Sequence, residues 1–85
     1  MHVKVLGTDR AGREKLTQEV RRALRYVGLE ARLTQVESAD ELAGHELSAA
    51  PALVIDGVLR CEGRIPDQAE LTSWLTTAAL REEQS

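Results

Sequence analysis

Residues 47–57 of the chain read LSAAPALVIDG, and this stretch constrains the fold more than any other. The apolar run at 52–55 predicts a buried strand, and Asp56-Gly57 directly after it is a strong signal for a two-residue hairpin turn. Residues 58–62 are therefore expected to return as an antiparallel strand. Pro51 restricts the backbone where the first of these strands begins.

The N-terminal half predicts a strand, a helix and a second strand. Residues 2–6, HVKVL, alternate polar and apolar side chains before Gly7, which is typical of a strand. A helix over 10–27 is indicated by apolar residues at helical spacing, with Gly28 suited to the left-handed turn that ends it. The alternation at 31–36 predicts the second strand. A strand, helix and strand in this order form a parallel pair.

Two capping boxes indicate where the later helices begin. The segment 38–41, SADE, is suited to satisfy free amides at the start of a short helix over 39–43. The segment 67–70, DQAE, opens the last helix in the same way. One face of that helix carries apolar residues, which are Leu71, Trp74, Leu75 and Ala78. We expect Trp74 to anchor the helix to the sheet.

The resulting order is β-α-β-α-β-β-α in a single α/β domain over 1–80. Residues 81–85 are a polar C-terminal tail that is expected to fray. The strand–helix–strand unit gives parallel pairing and the hairpin gives antiparallel pairing. We therefore predict a four-stranded mixed sheet flanked by helices.

The composition excludes several classes of protein. With 85 residues the chain is one small domain, and its single cysteine, Cys61, permits neither an intramolecular disulfide nor a multi-cysteine metal site. No metal, cofactor or membrane span is expected, and no segment has the pattern of a secretory signal. These features indicate a cytoplasmic protein.

Charge is distributed unevenly along the chain. Residues 1–32 contain eight basic and four acidic side chains, whereas 33–85 contain three basic and ten acidic ones. We interpret the basic half as the solvated face of a helix. Electrostatic association of the first helix with nucleic acid is a weaker alternative, because Tyr26 and Trp74 are the only aromatic residues that could stack on bases.

Four segments in this order resemble the thioredoxin fold. The closer resemblance is to the small thioredoxin-like or glutaredoxin-like redox-disulfide proteins of archaea and bacteria. The segments are VLGT at 5–8, YVGL at 26–29, the stretch at 47–57, and GRIP at 63–66 leading into the last helix. The resemblance extends from residue 2 to about residue 76.

This resemblance implies a redox site whose cysteines are missing. In the family a Cys-x-x-Cys occupies the turn after the first strand, and its two cysteine positions fall on Arg10 and Arg13. An arginine is neither a nucleophilic thiolate nor a resolving thiol, so a two-cysteine cycle is excluded at this site. Pro51 corresponds to the cis-proline beside the redox site of the family.

The candidate binding residues are those that the resemblance places in the former redox groove. They are Thr8, Asp9, Arg10, Arg13, Ala50 and Pro51. The two arginines, at a helix N-terminus, suit a phosphate, a carboxylate or an acidic segment of a partner. The alternative, which we favour, is that both are solvent-exposed residues without a role, with Asp9 capping the helix and Glu14 neutralising Arg13.

Cys61 has the strand parity of Leu59, and a lone cysteine in such a position is typically a small buried hydrophobe. The alternative is a reactive thiol, which would make the chain a thiol-dependent oxidoreductase or a glutathione-handling protein. Cys61 is far along the sequence from the helix N-terminus that would lower its pKa. We therefore expect a redox-inactive binding or scaffold module rather than an enzyme. Its expected partner is an unknown protein or a small anionic ligand.

Overall fold

The elements follow the predicted order. The computed structural model describes residues 1–37, 40, 43–44 and 49–84. Its elements are β1 (His2–Leu6), α1 (Arg10–Val27), β2 (Arg32–Val36), β3 (Ala52–Ile55), β4 (Val58–Glu62) and α2 (Gln68–Gln84). The short helix predicted over 39–43, with its capping box at 38–41, falls largely on residues outside these ranges.

The four strands form one sheet in the order β2-β1-β3-β4. β1 pairs in parallel with β2 and antiparallel with β3, and β3 pairs antiparallel with β4. α1 is the crossover that parallel neighbours require, and a hairpin joins β3 to β4. In its turn, Asp56 (φ 48°) and Gly57 (φ 81°) supply the two positive φ angles of a type I′ turn. The predicted α/β fold with a four-stranded mixed sheet is confirmed.

α1 begins and ends at the residues that the sequence indicates. The carboxylate of Asp9 accepts a hydrogen bond of 3.1 Å from the backbone N–H of Gly12, which satisfies a free amide of the first turn. Gly28 has φ 71°, and its N–H donates to the carbonyl of Arg25. The apolar stripe between these ends faces the sheet, with Leu16, Val20, Ala23 and Leu24 buried.

The main hydrophobic core lies between one face of the sheet and the helices α1 and α2. β1 contributes Val3 and Val5, and β3 contributes Leu53 and Ile55. Successive strand residues point to opposite faces, so Leu6 and Val54 belong instead to a smaller buried cluster. Burial of this apolar surface is the dominant stabilising term in so small a domain. Within the described residues, neither helix has the length and apolar sequence needed to cross a membrane.

The β3–β4 hairpin contains a bulge, so the prediction that Cys61 and Leu59 lie on the same face of β4 is wrong. Val54 pairs with Leu59, whereas its neighbour Leu53 pairs with Cys61, so Arg60 is the extra residue of a β-bulge. An inserted residue reverses the alternation beyond it. Leu59 and Cys61 therefore do not share a face, and Leu59 is 42% exposed while Cys61 is 6% exposed.

α2 opens with the predicted capping box and ends later than predicted. The backbone N–H of Glu70 donates to Oδ1 of Asp67, and the N–H of Asp67 donates to Oε1 of Glu70. Leu71, Leu75 and Ala78 are buried, and Trp74 packs against the same core. The helix continues to Gln84, so residues 81–84 of the tail expected to fray are helical. Arg81 in the last turn favours this extension, because a cation interacts favourably with the negative end of the helix dipole.

Candidate functional site

The turn after β1 and the loop before β3 lie side by side. Leu6 pairs with Ala52, so β1 ends and β3 begins at the same end of the sheet. A β-carbon on Gly12 would lie 3.7 Å from the ring of Pro51. A β-carbon on Gly7 would lie 3.6 Å from the Cα of the same proline. The first turn of α1 therefore packs directly against the proline loop.

We call the surface between this turn and this loop the turn–proline groove. It is formed by Thr8, Asp9, Arg10, Gly12, Ala50 and Pro51. The Ala50–Pro51 peptide bond is cis, and the carbonyl of Pro51 accepts a hydrogen bond of 2.9 Å from the backbone N–H of Gly63. Thr8, Asp9, Arg10 and Ala50 are exposed, and Pro51 is half-buried. Of the sequence-predicted binding residues, Asp9, Ala50 and Pro51 lie beside Gly7 or Gly12, and Thr8 and Arg10 belong to the same turn by their position in the sequence. Arg13 is buried.

Arg13 is a buried structural residue and not part of the groove surface. It is 7% exposed and donates three hydrogen bonds of 3.0 Å. The acceptors are the carbonyl of Gly7, Oε1 of Gln35 and Oε2 of Glu37. The interpretation of Arg13 as a solvent-exposed residue is therefore wrong. Its guanidinium joins the turn after β1 to the end of β2. A planar group with several N–H donors in fixed directions can reach all three acceptors at once.

Arg10 is the exposed cation at the groove. Its Nε donates to Oε1 of Glu14 at 2.8 Å, four residues further along α1. Glu14 thus neutralises Arg10 and not Arg13, because side chains at i and i+4 are neighbours on a helix. The pair is exposed to solvent and adds little stability. An anion in the groove would therefore meet one cation that is already partly compensated.

Sequence reasoning missed Gly12, Gln35 and Glu37. Gly12 did carry a signal, because glycine is unfavourable within a helix and calls for a packing reason. That reason is space: a β-carbon at this position would approach Oδ2 of Asp9 to 3.2 Å as well as the ring of Pro51. Gln35 and Glu37 carried no comparable signal, since both are exposed polar residues near the end of a strand.

Cys61 is buried in the main core, as predicted for a small hydrophobe. Its thiol donates to the carbonyl of Arg64 with an Sγ–O distance of 3.7 Å. Burial raises the pKa of the thiol above its ordinary value, and the nearby charge of Arg64 offsets this only in part. The thiol therefore stays protonated at neutral pH, and the protonated form is not the nucleophile.

A mixed sheet with a crossover helix, whose first turn packs against the proline loop of a hairpin, defines the thioredoxin-like class. Residues 1–76 match the family model of a thioredoxin domain, and the chain belongs to the thioredoxin-domain family. It is similar to a thioredoxin from Methanothermobacter thermautotrophicus. The two are 28% identical over 76 residues, which cover 89% of this chain and 99% of that protein. The resemblance inferred from the sequence is thus confirmed at the level of the family.

Proposed function

We propose that this thioredoxin-family chain is a redox-inactive binding module whose turn–proline groove takes an extended segment of a partner protein. The observation that carries the proposal is the separation of the thiol from the groove. The single cysteine lies in the core with its pKa raised, while the turn that packs against Pro51 carries arginines. Thiol–disulfide exchange needs an attacking thiolate, and the groove has none.

An extended peptide fits this groove better than a small anion does. Ala50 is small and exposed, so it leaves a ligand backbone room to approach Pro51 closely. Extended segments are recognised by main-chain contacts with pockets for alternate side chains. A phosphate or carboxylate would need several converging donors. Arg13 is held by the fold, which leaves Arg10 as the cation within reach.

The proposal is tested by chemical-shift mapping of the labelled chain with two extended peptides of equal length, one neutral and one acidic. Both peptides are expected to perturb amides at 8–12 and 50–51. The acidic peptide should bind somewhat more tightly, because Arg10 borders the groove. Glutathione and inorganic phosphate are titrated in parallel. Perturbation by these two small anions with none by either peptide would contradict the choice of ligand.

Two pairs of variants give matched controls. Gly12→Val fills the space against Pro51, whereas Ala11→Val places the same side chain at the neighbouring exposed position. Arg10→Glu reverses a charge at the groove, whereas Lys15→Glu reverses one elsewhere on α1. We expect Gly12→Val to abolish binding of both peptides. Arg10→Glu should weaken the binding of the acidic peptide and leave that of the neutral peptide unchanged. Absence of any perturbation at 8–12 and 50–51 with every ligand would remove the groove as a binding site.

A further inference from the structure

A second concave surface lies at the opposite end of α1 from the turn–proline groove. A cleft of about 610 Å³ opens between the last turns of α1 and the first turns of α2. It is lined by Arg22, Arg25, Tyr26, Gln68, Ala69 and Thr72. Arg22 lies about 18 Å from Arg10 along the helix axis, so the helical cleft is a separate site.

The wall that α1 contributes is cationic and aromatic. Arg22, Arg25 and Tyr26 are spaced i, i+3 and i+4, so their side chains are neighbours on one helix face. Tyr26 is 83% exposed, although it is one of the two aromatic residues of the chain. Among the residues that the structure describes, neither arginine takes part in an ion pair. Two guanidinium groups one turn apart suit a single anionic group, and the nearest acidic side chain on the same helix, Glu19, is held by Gln68.

The wall that α2 contributes offers hydrogen-bond acceptors. The side-chain amide of Gln68 donates to Oε2 of Glu19 at 2.6 Å and to the carbonyl of the same residue at 3.0 Å. These bonds fix the glutamine and leave its carbonyl oxygen as an acceptor. The hydroxyl of Thr72 donates to the carbonyl of Ala69 at 3.1 Å, and its lone pairs remain available. The cleft thus has two arginines on one wall and hydrogen-bond acceptors on the other, and most of the surface that lines it is apolar.

We propose that the helical cleft binds a nucleoside monophosphate, that is, a planar ring bearing N–H donors joined to one phosphate. The phosphate is held by Arg22 and Arg25, and the base stacks on Tyr26. The base donates hydrogen bonds to Gln68 and Thr72. The cleft volume lies within the range of roughly 300–1,000 Å³ that is usual for small-molecule sites. Double-stranded nucleic acid suits the cleft less well, because its bases are stacked and its phosphates run along a continuous surface.

The proposal is tested by titrating the whole labelled chain with adenosine monophosphate, and separately with adenosine and with inorganic phosphate. Saturable shifts are expected at 22–26 and 68–72 with the monophosphate. Adenosine and phosphate should each bind more weakly, because each lacks one of the two recognised parts. Equal affinity for inorganic phosphate and the monophosphate would overturn the proposal, since the base would then contribute nothing.

Variants of exposed residues localise the site without disturbing the core. Arg25→Gln and Tyr26→Ala should each lower the affinity for the monophosphate by roughly tenfold or more, because each removes a charged hydrogen bond or a stacking partner. Arg21→Gln removes one charge from an exposed position of α1 outside the cleft and should leave the affinity unchanged. Equal weakening by Arg21→Gln, or tight duplex binding that falls steeply with salt, would overturn the proposal in favour of general electrostatic association.

Discussion

Arg13 holds the turn after β1 against the end of β2 through its hydrogen bonds to Gly7, Gln35 and Glu37. Arg13→Met keeps a long side chain in this space but removes all of these bonds. The carbonyl of Gly7 is then left in a buried position without this donor, which costs about 1–3 kcal/mol. We expect urea denaturation to show this loss in the free energy of unfolding.

Arg10→Met is the matched control for that measurement. It deletes the same functional group three residues earlier, from an exposed side chain that pairs with Glu14. Its effect on the free energy of unfolding should lie within about 0.5 kcal/mol. Equal effects of the two substitutions would show that the buried hydrogen bonds of Arg13 do not stabilise the fold.

Cys61 is expected to be protected from thiol reagents in the folded chain. Its side chain is buried in the main core and its pKa is raised by burial, so both access and the thiolate fraction are low. Labelling with a thiol-specific chromogenic reagent at neutral pH should be slow in buffer and fast in urea. A Cys61→Ala chain provides the blank. Rapid labelling of the native chain would restore a thiol-dependent enzyme as a candidate function.

At the scale of the elements, the local signals predicted both long helices and all four strands. The caps of α1 and α2 and the turn at Asp56-Gly57 are interactions between residues close in sequence, so a single sequence reveals them. The bulge at Arg60 depends instead on how β4 registers against β3, which no local pattern fixes. The burial of Arg13 likewise depends on acceptors 22 and 24 residues away.

The start of α2 should make the stability of the chain depend on acidic pH. Glu70 accepts from both terminal nitrogens of Arg64, at 2.8 and 2.7 Å. This contact, together with the hydrogen bond from the backbone N–H of Asp67, lowers the pKa of the carboxyl from 4.5 to about 2. Because the carboxyl has a lower pKa in the folded chain than in the unfolded chain, its ionised form stabilises the fold at pH values above the unfolded-state pKa. This stabilisation is then lost as the pH falls from about 4.5 towards 2.

Glu70→Gln tests that dependence, because glutamine still suits a capping box but carries no charge to titrate. Its thermal unfolding midpoint should lie below that of the parent chain above pH 5 and approach it near pH 2. Glu83→Gln removes one charge from an exposed position in the same helix and serves as the control. A midpoint difference that does not shrink on acidification would show that the ion pair with Arg64 is not its source.

At the scale of the whole molecule, our proposal that the first turn of α1 occupies the position of the family's redox site predicts that cysteines placed there will support disulfide chemistry. Arg10→Cys with Arg13→Cys, made in a Cys61→Ala background, places two thiols at i and i+3 in the first turn of α1. Helical Cα atoms at that spacing are about 5 Å apart, within the range that a disulfide spans. The helix N-terminus also lowers the pKa of a thiol placed there. We expect this variant to form an intramolecular disulfide and to gain dithiothreitol-dependent reduction of insulin.

The parent chain and the single variant Arg10→Cys in the same background are the controls for this gain, since neither has both an attacking and a resolving thiol. Loss of Arg13 should lower stability as argued above, so activity is compared only at temperatures where unfolding curves show each variant to be folded. Mass spectrometry of the alkylated chain then decides the outcome. A folded double-cysteine variant that forms no disulfide with oxidised glutathione would mean that the first turn of α1 does not superimpose on the redox site of the family. The turn–proline groove would then have to be explained without reference to a lost dithiol.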